Sequence, residues 1–290
     1  MKYRGGKDEE EINYIEVKWS LERIIKQIKE QKKEIEIKAG FNREEKFVFI
    51  KGNFVDFSRM VLNLVNNGIE SVEGEKADIK INYEVKGEEV EIRVKDNGKG
   101  MPKEMAEKLM KGEKVGTSKK SGHGLGMEQV KSVLKAIKGQ IRIESKENVG
   151  TEIILTFPKA EKPRWFVEKI EIKKGEEVVI VDDEELMHEV WKVKLKEYEK
   201  EIKIKFFTQG KEALKYLKSL ERKDKVFLIA DYELKEDING IDVIEEAGMK
   251  ERHILVTGEE ISRIKDFSRK SEYLKMFHKD LLEEIPFVRV

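Results

Sequence analysis

The apolar residues of this chain are spaced in two different ways, and the change falls between Pro158 and Pro163. Before it, strand-like segments alternate: Ile79-Lys80-Ile81-Asn82-Tyr83, Val90-Glu91-Ile92-Arg93-Val94, Ile141-Arg142-Ile143 and Thr151-Glu152-Ile153-Ile154-Leu155-Thr156-Phe157. A period of two buries one face of a strand and wets the other. After it, the apolar runs at 178–181, 226–230 and 253–256 are short and continuous, with helical patterns at 184–199 and 210–220 between them. Strands of that kind are covered on both faces. The first half therefore predicts an α+β two-layer sandwich, helices against an antiparallel-looking sheet, and the second a doubly wound, parallel α/β domain. A chain of 290 residues has room for both. The expected division is 1–160, a charged Pro-bounded linker at 161–175, and 176–290.

Two helices are legible in the first half. Ser20 is placed to cap Leu21, Ile24, Ile25 and Ile28, and Asn53 with Asp56 opens a run through Met60, Val61, Leu64 and Val65 to about Ser71. Short strands are expected at 35–37 and 47–50, and a hairpin at Lys86-Gly87-Glu88. Lys plus Arg and Asp plus Glu both total 59, so no net field draws the chain to nucleic acid or an anionic membrane. With no Cys and four scattered His, thiolate catalysis and a Cys or HExxH zinc site are excluded. No apolar run is long enough to span a bilayer, and a cytoplasmic setting is expected.

Neither a P-loop nor a Rossmann fingerprint is present, so a nucleotide site must be assembled otherwise. The informative pieces are Asn63-Leu64-Val65-Asn66-Asn67-Gly68, Asp96-Asn97-Gly98-Lys99-Gly100, Gly122-His123-Gly124-Leu125-Gly126 and Gly150-Thr151. Asn63 and Asn67 share a helical face, and amide oxygens suit Mg²⁺ when phosphate and water complete its shell. Asp96 ahead of Gly-x-Gly offers an acceptor where the backbone can approach a flat ring. Glycines opening a helix can receive phosphate on backbone N–H groups. In this order the four pieces resemble the ATP-binding domain shared by sensor histidine kinases, DNA gyrase, Hsp90 and MutL, most closely the histidine-kinase form, over about residues 17–158. The resemblance implies ATP and Mg²⁺ as cofactors. It implies Asn67 as the magnesium ligand beside Asn63, Asp96 with Gly98 and Gly100 at adenine, Gly122, Gly124, Gly126 and Lys119 at the phosphates, and Thr151 closing the pocket. Two departures stand out: Leu109-Met110-Lys111-Gly112 lies where phenylalanines are usual, and Asn63 stands where the gyrase and chaperone branches keep a water-activating glutamate.

In the second half each strand ends in a polar group: Asp182 and Asp183, Asp231, Thr257, and Lys279 after an apolar stretch. Parallel strands converge at their C-terminal ends, and carboxylates gathered there repel unless a cation joins them. The set resembles the receiver domain of response regulators, a flavodoxin-like fold on a parallel five-stranded sheet, over about 176–290. It implies Asp231 as phosphoacceptor, Asp182, Asp183, Asp231 and the Glu233 carbonyl as Mg²⁺ ligands, and Thr257 and Lys279 on the phosphoryl oxygens. Lys235 and Asp280 stand where prolines are usual, Met276 replaces the switch aromatic with Phe277 adjacent, and eleven residues follow Lys279, short for a final helix. No two-helix hairpin bearing an acceptor histidine fits before Ser20, and His123, His188, His253 and His278 lack such a setting. The expected protein is the catalytic and receiver part of a hybrid histidine kinase. Its partners are a histidine-containing dimerisation or phosphotransfer domain, in another chain or a missing N-terminal part, and a downstream response regulator. The alternatives are a non-catalytic nucleotide-sensing module and, against the identity of Asn63, a gyrase- or Hsp90-like ATPase.

Overall fold

A computed structural model describes residues 14–32, 35–41, 45–73, 76–111, 113, 125–260, 264, 267–270 and 272–290. They form two compact units, one within Asn13–Lys162 and one containing Pro163–Val290.

The first unit runs β1 (Tyr14–Glu16), α1 (Val17–Gln31), β2 (Glu36–Phe41), β3 (Phe49–Lys51), α2 (Phe54–Ser71), β4 (Asp78–Lys86), β5 (Glu89–Lys95), α3 (Lys103–Lys111), α4 (Leu125–Ala136), β6 (Gln140–Lys146) and β7 (Gly150–Ala160). Its sheet has the order β1-β3-β7-β5-β4-β2, with β6 also on β7. Every pairing is antiparallel except β2 with β4. The all-antiparallel expectation fails at that edge because β3 and α2 lie between the two strands, a connection long enough for a parallel crossover. Asn53 caps α2 as expected, its Oδ1 accepting from the backbone N–H of Val55 and Asp56. Ser20 does not cap α1: the helix starts at Val17, Glu16 accepts from the Trp19 N–H at 2.6 Å, and Ser20 is buried one turn inside. Leu21, Ile24 and Ile28 of α1, Phe57, Met60, Val61 and Leu64 of α2 and Leu134 of α4 pack with Ile79, Ile81, Val90, Ile92, Leu155 and Phe157 of the sheet. Each such side chain contributes roughly 1.5–3 kcal/mol on burial. This single helical layer holds α2 rigidly under the C-terminal end of β5, where the site lies.

The second unit runs β8 (Ile170–Ile172), β9 (Glu177–Val181), α5 (Glu185–Leu195), β10 (Lys203–Phe207), α6 (Gly210–Ser219), β11 (Val226–Asp231), α7 (Gly240–Glu246), β12 (His253–Thr257), α8 (Phe267–Lys270), β13 (Met276–His278) and β14 (Phe287–Arg289). Five strands pair in parallel in the order β10-β9-β11-β12-β13. Strand order reverses between β9 and β11, which opens a crevice at their C-terminal ends. The helical pattern at 184–199 ends as α-helix at Leu195 and tightens to a 3₁₀ turn at Lys196–Tyr198.

Residues 163–175 are not the polar linker expected at 161–175. Trp165, Val167, Ile170 and Ile172 are buried, and β8 pairs in parallel with β14, Phe287 opposite Ile170. Four large apolar side chains in eight residues cannot stay in water, so the stretch packs into the second unit. From Lys279 onward the described residues form a 3₁₀ turn, Lys279–Leu281, and β14, with no α-helix among them. Among the described residues, no helix is long and apolar enough to cross a membrane.

Candidate functional site

Asp96 follows β5 directly, and its two carboxylate oxygens are unequal. Oδ1 accepts from the backbone N–H of Gly98 at 2.8 Å and that of Thr151 at 3.2 Å, and lies 3.4 Å from the Ser71 hydroxyl, whose single proton goes to the Gly68 carbonyl at 2.7 Å. Among the described residues no donor reaches Oδ2. Burial pushes the Asp96 carboxyl above its ordinary value, and the N–H groups of Gly98 and Thr151 pull against that shift. The surrounding glycines keep the approach narrow. A Cβ at Gly68 would stand 3.4 Å from Oδ2, and one at Gly98 would stand 1.7 Å from the Ser71 hydroxyl. Gly100 has a φ of +63°, with a Cβ there 2.1 Å from the Lys146 carbonyl, so no other residue fits. Thr151 is buried; its carbonyl accepts from the Asp96 N–H at 2.9 Å, and its hydroxyl lies 2.9 Å from that of Ser145.

Asn63 and Asn67 lie one turn apart on α2, half-buried and turned toward the start of α4. Asn63 donates to Gln129 Oε1 at 2.9 Å. A Cβ built on Gly126 would lie 3.8 Å from Asn67 Nδ2 and 3.9 Å from Asn63 Cγ. Gly126 thus joins the two asparagines, while Asp96 joins Gly98, Gly100 and Thr151. Lys119, Gly122 and Gly124 lie outside the described residues. Sequence reasoning missed Ser71, Ser145 and Gln129. Ser71 continues the four-residue series from Asn63 and Asn67, a signal available in the sequence; Ser145 and Gln129 carried none.

In the second unit, Asp182 follows β9 and Asp231 ends β11, on the two sides of the strand-order reversal. Oxygens of Asp182, Asp183 and Asp231 lie within 4.8 Å of one another. Asp182 and Asp231 are 2% and 3% exposed, values at which a carboxylate needs a partner. Lys279, at the end of β13, supplies one, with Nζ 2.9 Å from Asp231 Oδ2 and 3.2 Å from Asp182 Oδ2. Asp231 Oδ1 is buried with no partner. Burial pushes the Asp231 carboxyl up to about 7, Lys279 pulling it down and Asp182 adding to the rise. Burial raises Asp182 as well, against Lys279 and the Glu184 N–H. Despite its own burial, Lys279 is held above its ordinary value by these carboxylates. Thr257 is buried at the end of β12, one residue past the register partner of Asp231, and its hydroxyl accepts from the Glu259 N–H at 2.9 Å. Glu233 is exposed two residues beyond β11, its side chain outside the cluster. Lys235, singled out in the sequence only as a departure, puts Nζ 2.7 Å from Asp183 Oδ2.

Residues 52–161 match the family described as histidine kinase-, DNA gyrase B-, and HSP90-like ATPase. The chain is similar to this ATPase family over 110 of its 290 residues. Over 108 residues the chain is 32% identical to a probable C4-dicarboxylate sensor kinase of Halalkalibacterium halodurans, covering 36% of this chain and 20% of that protein. Over 117 residues it is 30% identical to sporulation kinase A of Bacillus subtilis, covering 40% and 19%. The chain thus spans about a fifth of the length of these relatives. Among solved structures, the catalytic domain of histidine kinase ThkA aligns with a TM-score of 0.43 at 25% identity, covering 50% of this chain and 93% of that one.

Proposed function

We propose that the first unit binds Mg-ATP for phosphorylation of a histidine carried elsewhere, and that the second accepts the phosphoryl group on Asp231. The observation that carries this reading is a contrast between two carboxylates. Asp96 is held by neutral donors on one oxygen and leaves the other open; Asp231 is held by an ammonium. The first arrangement suits recognition of an N–H donor on a base, the second suits reaction with an anionic group.

In the ATP site the adenine amino group donates to Asp96 Oδ2, with Gly98 and Gly100 admitting the ring and Thr151 closing the pocket. Gly126 faces the phosphates, the resemblance assigns Gly122, Gly124 and Lys119 to them as well, and Asn67 beside Asn63 would hold the magnesium that accompanies them. In the acidic site three hard carboxylates and an orphaned buried oxygen fit Mg²⁺, held by Asp182, Asp183, Asp231 and the Glu233 carbonyl. Bound there, the ion screens the carboxylates against an incoming phosphoryl group. An Asp231 oxygen then attacks the phosphorus of a phosphohistidine, the O–P bond forming as the P–N bond breaks, and the imidazole leaves with its electron pair and takes a proton from water. Lys279 and Thr257 stand at the charge that develops on the phosphoryl oxygens. The acceptor histidine belongs to a dimerisation or phosphotransfer domain, and a response regulator is the downstream partner in such a two-component relay.

The test is incubation with γ-labelled ATP and Mg²⁺, with and without a separate histidine-bearing helical domain. The expected result is acid-labile label on that domain, followed by alkali-labile label on this chain that Asp231→Asn abolishes. ATP binding without transfer to any histidine domain would instead mark a nucleotide-sensing module. Phosphate release without protein label would mark an ATPase.

A further inference from the structure

The acidic pocket contains two ammonium groups, and they are held differently. Lys279 bridges Asp182 and Asp231 and its side chain is 18% exposed, so it is fixed in the wall of the site. Lys235 touches Asp183 alone and its side chain is 80% exposed, whereas Asp183 is 10% exposed. Three formal negative charges and two positive ones leave the pocket one charge short of neutrality. A divalent cation together with Lys279 would balance the three carboxylates by themselves, and Lys235 would then be surplus. It also occupies Asp183 Oδ2 at 2.7 Å, the side of the cluster that faces water.

We propose that Lys235 is a resident counter-cation that competes with the divalent metal for Asp183, so that metal entry requires its ammonium to leave. The inference rests on the reading of Asp182, Asp183 and Asp231 as a metal site, and it adds a residue that sets the affinity of that site. The physical basis is short. A cation at Asp183 repels a second, doubly charged one a few ångströms away, and Asp183 Oδ2 cannot serve both at full strength. Lys235 can leave cheaply, because an exposed ion pair on a long stem is worth only about 0–1 kcal/mol. Lys279 cannot, because two buried carboxylates would lose their only ammonium. The pocket is therefore neutralised in part before metal arrives, and its affinity for Mg²⁺ is lower than the carboxylate count implies.

The test is Mn²⁺ binding to the full chain without nucleotide, followed by water-proton relaxation and checked with Mg²⁺ by calorimetry. Lys235→Met keeps the stem and removes the charge; about two- to fivefold tighter binding is expected. Lys235→Arg keeps the charge and should bind as the wild type does. In an Asp183→Asn background the gain from Lys235→Met should vanish, because the competition acts through that carboxylate. Equal affinity in wild type and Lys235→Met would overturn the competition and leave the metal site standing. A gain that survives Asp183→Asn would overturn it too, as a general field effect. No Mn²⁺ uptake by either protein would overturn the metal site, and the competition with it.

Discussion

The unequal oxygens of Asp96 make Asp96→Asn an informative substitution. The backbone N–H groups of Gly98 and Thr151 both donate to Oδ1, at 2.8 and 3.2 Å, so the amide oxygen of asparagine must take that place. Its NH₂ is thereby forced into the position of Oδ2. The folded domain keeps its two backbone hydrogen bonds and loses a carboxylate whose charged form burial already disfavours, so stability should change by about 1 kcal/mol or less. Base recognition changes sign. A ligand that donates to Oδ2 loses a hydrogen bond to a charged acceptor, worth about 1.5–3 kcal/mol. At 1.4 kcal/mol per factor of ten, ATP should bind roughly 10- to 150-fold more weakly. A purine with a carbonyl in place of the amine meets a donor instead of an acceptor, so GTP should gain on ATP. Calorimetric dissociation constants for both nucleotides measure this directly. ATP affinity within about threefold of wild type, or equal losses for ATP and GTP, would refute the assignment of Oδ2 to the base.

Four other substitutions test the second unit. Burial holds His253 down to about 4 in the folded state, against an ordinary value near 6.5. The unfolded chain therefore binds the extra proton between those values: stability is full above about pH 6.5 and falls by about 3 kcal/mol as pH drops through 4. In urea unfolding followed by tryptophan fluorescence, His253→Gln should remove that part of the pH dependence, and an unchanged slope would rule it out. A Cβ at Gly240 would stand 2.1 Å from the Asp231 carbonyl, whereas Gly248, at φ +71°, has nothing within 4 Å. Gly240→Ala should cost upwards of 3 kcal/mol and Gly248→Ala about 1–2 kcal/mol, and similar melting temperatures for the two would contradict the packing. Ile170 is fully buried in a stretch that reads as linker. Ile170→Ala should destabilise the second unit by about 2–5 kcal/mol, and a neutral outcome would restore the linker reading.

What the sequence conveyed was whatever depends on neighbours along the chain. Alternation placed β4 to β7, continuous apolar runs placed β9, β11 and β12, and Asn53 announced α2. The glycines at 98 and 100 were legible only in company, because Gly-x-Gly after a strand is by itself often a turn and gains meaning from the pieces at 63–68, 122–126 and 150–151 around it. What it withheld depends on partners far away in the chain. β8 and β14 have three residues each, too few for any period, and Phe287 meets Ile170 across more than a hundred residues. The parallel pairing of β2 on β4 leaves no local mark either. The ion pair from Lys235 to Asp183 joins two loops, and no spacing rule connects them. Ser20 misled for a different reason: a serine before an apolar run is a good cap, but Glu16, a turn earlier, accepts from the Trp19 N–H, and the helix begins there.

The two sites reach opposite chemistry from one arrangement. In each, a carboxylate stands at the C-terminal end of an interior strand, and burial raises its pKa. A buried carboxylate must be compensated, and the kind of compensation decides its use. Backbone N–H groups compensate Asp96 without adding charge, and their geometry fixes one oxygen so that the other can read a hydrogen-bonding pattern. Such a site discriminates by direction. Asp231 is compensated by the charge of Lys279, which would also draw in the oxygens of a phosphoryl group, and its second oxygen is orphaned. Such a site attracts by charge, so its selectivity depends on which cations hold the pocket. Exchanging the neighbours should therefore exchange the sensitivities. Ser71→Ala removes a neutral hydroxyl 3.4 Å from Asp96 Oδ1 and should weaken ATP binding by a few-fold at most, with little dependence on salt. Lys279→Met removes the charge and should abolish phosphoryl transfer to Asp231 while leaving ATP affinity unchanged. If the Lys279 variant instead lost ATP affinity and kept the transfer, the division of labour between the two carboxylates would be wrong.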